Sequence, residues 1–221
     1  LMAAASFLIL AIAAFRLAPT AAGTGGFALL ASSDQPIYAD LNLAETRNEL
    51  FGTEGAALLN GTDILRLRKR VGDDASCRNL FQSAQPELLG ISAQVIEYFD
   101  QHPDQFAWAG AATTTVDVGT DANERMNHWR CLSTPSNEDV ATNDARTIPV
   151  VIDKNTAMYA LHLPPKIGYE FSLQYEDVET PLRFRIAGLL GGTTLQGSLL
   201  IPEADLLRVF PETGGYRSFL I

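Results

Sequence analysis

Cysteine is scarce: the chain has two, Cys77 and Cys131. Two cysteines cannot staple a small disulfide scaffold, and their spacing fits no zinc motif. They form one candidate disulfide. In an oxidising compartment it would close a loop of roughly 55 residues and stabilise the fold by about 3–4 kcal/mol. The other reading is two unrelated buried thiols. Histidine is scarce as well, and His102, His128 and His162 stand far apart in different kinds of segment. Pairing Cys77 with His102 or His128 as thiol and imidazole has no support in the spacing. The chain lacks a His-Glu-x-x-His, a Cys-x-x-Cys and a calcium-type loop, so no dedicated metal site is expected. It lacks the Gly-x-Ser-x-Gly elbow of a serine hydrolase. Asp73-Asp74, Glu176-Asp177 and the Glu203/Asp205 pair read as turn and helix-start charges. No catalytic, cofactor-binding or metal-ligating constellation emerges, and no cofactor is expected.

Positive charge is also in short supply. Sixteen basic residues face 26 acidic ones, for a net charge of −10. A non-specific nucleic-acid binder would need a basic stripe to displace counterions, and a peripheral protein held on anionic lipid would need a basic patch. The densest basic run, Arg66-Leu67-Arg68-Lys69-Arg70, has no interleaved aromatics. Within Asp63–Val71 leucine alternates with base, which predicts a strand whose charged face is solvated or ion-paired.

What the chain does have is apolar patterning. Hydrophobic residues make up 47% of its 221 positions, enough for a real core. The last third is the most clearly written. Ile148–Ile152, closed by Asp153, reads as a buried strand. Asp153 can cap a helix running to Leu161, ended by Pro164-Pro165. Strands are predicted over Tyr169–Tyr175, Leu182–Leu190 and Gly197–Ile201. Strict alternation in Leu182-Arg183-Phe184-Arg185-Ile186 puts two arginines on one face. The glycine-rich Gly188–Gly197 lacks the lysine of a phosphate loop and reads as a turn between strands. A helix over Pro202–Phe210 and a strand over Tyr216–Ile221 follow.

Nearer the start, a first strand is expected over Gly26–Ser33. Asn42-Leu43-Ala44-Glu45 fits a capping box for a helix through Phe51 that Gly52 stops. A helix from Ser92 to Gln101 would bury Val95, Ile96 and Phe99. Phe106–Ala109 reads as a strand, and 113–147 as loops around a short helix near 123–132. Leu1 to Phe15 is apolar but for Ser6 and is followed by Arg16. Fifteen helical residues span roughly 22 Å, short of the ~30 Å hydrocarbon core. With almost no polar face, the segment reads as the end of a transmembrane helix, the alternative being a buried core helix.

The order of these elements and several of their words resemble a known family. "IPVVIDKNTAMYAL", a Gly-Tyr-Glu-Phe strand and "FRIAGLLGGTTLQGSLLIPEADLLRVFP" resemble the extracytoplasmic (periplasmic) domain of FtsX-like, MacB-like ABC-transporter permeases. The matching residues are Ile148–Asp153, Phe184–Leu190, Gly197–Ile201 and Glu203–Phe210. "TGGFAL" after a membrane segment, and Gly72–Cys77 followed by Arg78, Asn79 and Leu80, are similar to words in the same family. The resemblance implies an α+β, two-lobed MacB-like periplasmic core domain with mixed β-sheets and short helices. Residues 1–16 would be the end of a transmembrane helix and 17–25 a linker. Residues 26–82 with 147–221 would form the main lobe, and 83–146 a smaller inserted lobe. The implied role is non-catalytic: coupling ATP-driven motion of membrane helices to export or extraction of a substrate, lipoprotein or partner protein. The implied partners are an ABC ATPase subunit, a second permease subunit or repeat, and a periplasmic or outer-membrane partner or lipoprotein. The implied location is the inner membrane, with this domain on the extracytoplasmic side. The apolar last residues, Ser218–Ile221, read as if a second membrane helix were about to begin. The alternative is a membrane-anchored extracytoplasmic ligand-binding module.

Overall fold

A computed structural model describes residues 21–72, 85–112, 128–133 and 147–221. The expected membrane helix at 1–16, Cys77 and most of 113–147 lie outside them. Among the described residues no helix is long and apolar enough to cross a membrane.

The architecture is α+β: a nine-stranded mixed sheet with a few short helices. The strands are β1 (Leu30–Ile37), β2 (Leu65–Arg70), β3 (Glu87–Ile91), β4 (Trp108–Ala111), β5 (Ile148–Asp153), β6 (Glu170–Leu173), β7 (Leu182–Leu190), β8 (Ser198–Pro202) and β9 (Tyr216–Leu220). They lie in the order β1-β9-β2-β3-β8-β5-β7-β4. Nine-residue β7 has β5 along one edge, and β6 then β4 in succession along the other. The β3/β8 and β5/β7 pairs are parallel and the remaining pairs antiparallel. From the stretch expected as a smaller lobe, β3 lies between β2 and β8, and β4 pairs with β7.

Both faces of the central strands are buried, so their side chains alternate between two cores. Leu88, Val150, Ile152, Leu199 and Ile201 point to one side. Leu89, Ile91, Val151 and Leu200 point to the other. In β7 the face changes part-way. Phe184 and Ile186 share a core with Leu189, three residues on, because the register against β5 slips by one between Ile186 and Gly188. A β-bulge of this kind inserts one residue and reverses the side-chain phase. Gly188 sits just past the slip, where a Cβ would come within 2.6 Å of the Trp108 ring and 2.9 Å of Val151. Before the bulge the expected alternation holds: Arg183 and Arg185 are exposed between Leu182, Phe184 and Ile186.

Besides a four-residue helix at Ala21–Thr24, the helices are α1 (Ala44–Leu58), α2 (Ala93–Gln101) and α3 (Glu203–Val209). A 3-10 turn spans His128–Leu132, and a π-turn spans Thr156–Ala160 where a longer α-helix was expected. The helix expected from Ser92 forms, and Ser92 caps it, its Oγ accepting the Val95 N–H at 3.3 Å. The capping box at Asn42–Glu45 does not form: the first turn of α1 has no side-chain cap. Asn42 instead accepts the Ile64 N–H at 2.9 Å and donates to the Ile64 carbonyl at 3.0 Å. This fixes the approach to β2. Gly52 interrupts α1 with φ +71°, a conformation open to glycine, and the helix then resumes to Leu58. The first strand begins at Leu30, four residues later than expected, because its register follows β9: Leu30 faces Leu220 and Ser32 faces Ser218.

Arg47 has no warning in the sequence. It is buried in α1 and donates to the carbonyls of Leu41 at 2.5 Å, Thr62 at 2.6 Å and Leu59. One guanidinium thereby holds together the two ends of α1 and the approach to β2. Arg47→Ala strands several buried carbonyls and is expected to destabilise by about 2–4 kcal/mol, measured by urea unfolding. A loss below about 0.5 kcal/mol would contradict this role. Gly188→Ala forces the Trp108 ring to move and is expected to cost about 1–3 kcal/mol.

Candidate functional site

A wide hollow follows from how two neighbouring strands end. The parallel strands β3 and β8 pair from Glu87↔Ser198 to Ile91↔Pro202. Each runs directly into a helix, β3 through Ser92 into α2 and β8 through Pro202 into α3. The two helices leave to opposite faces. α2 buries Val95 and Phe99 in the core with Leu89 and Ile91, and α3 buries Leu206 with Leu88, Leu199 and Ile201. Close packing of α3 on the strand is possible because position 90 is glycine: a Cβ there would meet Leu206 at 2.9 Å and the Glu203 Cα at 3.3 Å.

Helices that diverge from adjacent parallel strands cannot cover the strand ends, so a crevice opens between them. Here it measures about 780 Å³, within the range of small-molecule sites. The residues just after each strand line it: Ser92, Ala93 and Gln94 on one side, Pro202, Glu203 and Ala204 on the other. Ile91, Ile96, Leu132 and Leu207 make its floor apolar. A side hollow of about 190 Å³ shares Arg66, Ser92, Gln94 and Tyr216 with it.

The rim carries both signs of charge. Arg130 binds Asp100 through two bonds of 2.9 and 3.0 Å, joining the 3-10 turn to α2. Arg68 donates to Glu203 at 2.6 Å, and Arg66 lies 3.4 Å from Asp40. Arg66 and Arg68 both lie over the Tyr216 ring, at 4.8 and 4.7 Å. The rest of the basic strand is engaged in the same way. Lys69 meets Glu87 at 2.6 Å, and Arg70 meets Asp177 at 2.7 Å while lying over Tyr175 and Phe210. Of the two states expected for this charged strand face, solvated or ion-paired, it is ion-paired along its length.

Of the candidate disulfide pair, Cys77 lies outside the described residues. Cys131 lies in the 3-10 turn, half-buried beside Gly188 and packed on the core that holds Trp129 and Leu132. As a thiol it is pushed up to about 12 by burial, against an opposing backbone hydrogen bond. A thiol so held is protonated at neutral pH and is a poor nucleophile. The histidines have separate local roles. His102 stacks on Tyr98 at 4.2 Å and bonds its carbonyl, His128 packs on Trp108 at 5.3 Å, and His162 occupies a loop with positive φ. Among the described residues no group of three or more His, Cys, Asp or Glu could hold a metal ion. The crevice itself left no trace in the sequence, because nothing local states which face each helix takes.

No family model matches the chain, and no curated protein matches it. Among solved structures, the extracellular domain of the noncanonic ABC-type transporter YknZ from Gram-positive bacteria is similar at 12% identity. The likeness covers 87% of this chain and 81% of that one, with a TM-score of 0.33. It is too weak to carry a function or a residue role across.

In a Cys77→Ser variant, Cys131 is expected to react with a disulfide reagent at pH 8 at least tenfold more slowly than in the chain unfolded by guanidinium chloride. Equal rates would show an accessible thiol. The sign of the pH dependence is also set. The folded chain keeps this proton to about pH 12 while the unfolded chain releases it near 9.0, so stability falls as pH rises through that window. Replacing Cys131 by alanine removes that part of the slope.

Proposed function

We propose that the chain is a non-catalytic extracytoplasmic domain of an ABC-transporter permease subunit. It couples ATP-driven motion of membrane helices to the export or extraction of a substrate, lipoprotein or partner protein. The observation that carries this reading is the pairing of the first and last strands. Ile221 accepts the N–H groups of Ala28 at 2.7 Å and Leu29 at 3.0 Å, and donates its own to Leu29 at 3.0 Å. In a domain inserted between two membrane spans the entering and leaving strands lie side by side, and the β1–β9 pairing supports that arrangement. A load applied at these strands enters the sheet through β9, which is hydrogen-bonded to both β1 and β2.

The residue words that resemble the FtsX-like, MacB-like permeases add support because they fold into one contiguous unit. Ile148–Asp153, Phe184–Leu190 and Gly197–Ile201 supply most of the adjacent strands β5, β7 and β8, and Glu203–Phe210 supplies α3. In this reading the apolar segment at 1–16 is the end of one span. An ATPase subunit acts from the cytoplasmic side, and a second permease subunit or repeat completes the membrane part. The domain lies on the outer side of the inner membrane, facing a periplasmic or outer-membrane partner or lipoprotein. The crevice favours a second reading, a membrane-anchored module that binds a ligand.

In whole cells, Leu58→Cys, at a position 86% exposed, is expected to react with a membrane-impermeant maleimide in the full-length parent protein. An ATP-hydrolysing subunit is expected to co-purify with that parent from membranes. Labelling only after permeabilisation would overturn the topology. Outside labelling without an ATPase would favour the anchored module.

A further inference from the structure

We propose that the crevice between α2 and α3 is a binding site for a short peptide with apolar side chains. The proposal does not depend on the permease reading, since it rests on the way β3 and β8 end. Adjacent parallel strands whose helices depart to opposite faces leave a cleft that neither helix can fill, and in this chain it has the volume of a small-ligand site. Its floor, from Ile91, Ile96, Leu132 and Leu207, offers apolar surface that a Leu- or Ile-sized side chain can cover.

The rim decides the class of ligand. The Arg130–Asp100 pair stands on one wall and Glu203, paired to Arg68 behind it, on the other, while Arg66 on the rim lies over Tyr216. A plain hydrocarbon chain would cover the floor but strip water from these pairs and return no hydrogen bonds, which is costly. A strongly charged ligand of either sign would meet a like charge on one wall. A peptide matches both parts. Its side chains suit the floor, while its N–H and C=O groups donate and accept at a rim that carries both signs. Ser92, Gln94 and Ser133 add neutral hydrogen-bonding groups along the same walls.

The test uses the full chain in lipid nanodiscs, with trileucine as the probe and triserine and hexanoate as comparators. Binding is measured by calorimetry and located by hydrogen–deuterium exchange. Trileucine is expected to bind at least tenfold more tightly than either comparator and to slow exchange in 92–97 and 203–207. Ala204 is exposed on the crevice wall, so Ala204→Phe should fill the space without disturbing the core. It is expected to weaken trileucine at least tenfold while leaving the thermal midpoint unchanged. A second blocking variant, Ala93→Phe on the opposite wall, should weaken it likewise if Ala204→Phe proves unstable. The proposal is overturned if trileucine does not bind, if hexanoate binds as well, if protection appears elsewhere, or if a folded blocking variant binds normally.

Discussion

The Asp153 carboxylate is the interaction on which the centre of the sheet depends. It stands fully buried at the end of β5 and accepts four backbone N–H groups. One oxygen takes those of Asn155 at 2.8 Å and Thr156 at 3.3 Å, starting the turn that follows β5. The other takes those of Gly192 at 2.9 Å and Thr193 at 3.3 Å, in the connection between β7 and β8. The Thr156 hydroxyl extends the clamp by accepting the Gly197 N–H at 2.9 Å. One side chain thus replaces the water that two turns would otherwise need, and ties the ends of three neighbouring strands. The crevice opens at the other end of β8, after Pro202, so one end of this strand is clamped while the other borders a cleft.

Charge is handled by the same economy of partners. A chain with excess acid places its densest basic run in an interior strand of the sheet, and each of the four basic side chains meets a carboxylate from a different part of the chain. Asp40 precedes α1, Glu87 begins β3, Asp177 follows β6 and Glu203 begins α3. The guanidinium groups of three of them lie over aromatic rings as well. These pairs are partly buried, so they fix the register of distant segments more than they add to stability.

Legibility in the sequence followed how local each determinant is. The strands β5, β7, β8 and β9 were readable because apolar runs, the alternation in Leu182–Ile186 and bounding turn residues lie within the segments themselves. The helix start at Ser92 and the break at Gly52 were readable for the same reason. The α1 capping box failed because Asn42 is taken by Ile64, 22 residues away, which no local pattern states. β1 starts late because its limits are set by β9 at the far end of the chain. The bulge in β7 is local to Ala187-Gly188, yet it shows only as a change of face relative to β5. The crevice was invisible because it depends on two helices, separated by more than 100 residues, choosing opposite faces of one sheet.

In the function proposed above, this fold is a domain held between two membrane spans and moved by them. The direct measurement is the sequence of the parent gene across both ends of this chain. The apolar run before Arg16 is then expected to extend upstream to about 20 residues, and a second run of similar length to follow soon after Ile221. A chain that stops or continues as polar sequence after Ile221 would contradict it, and the anchored binding module would then be the better description.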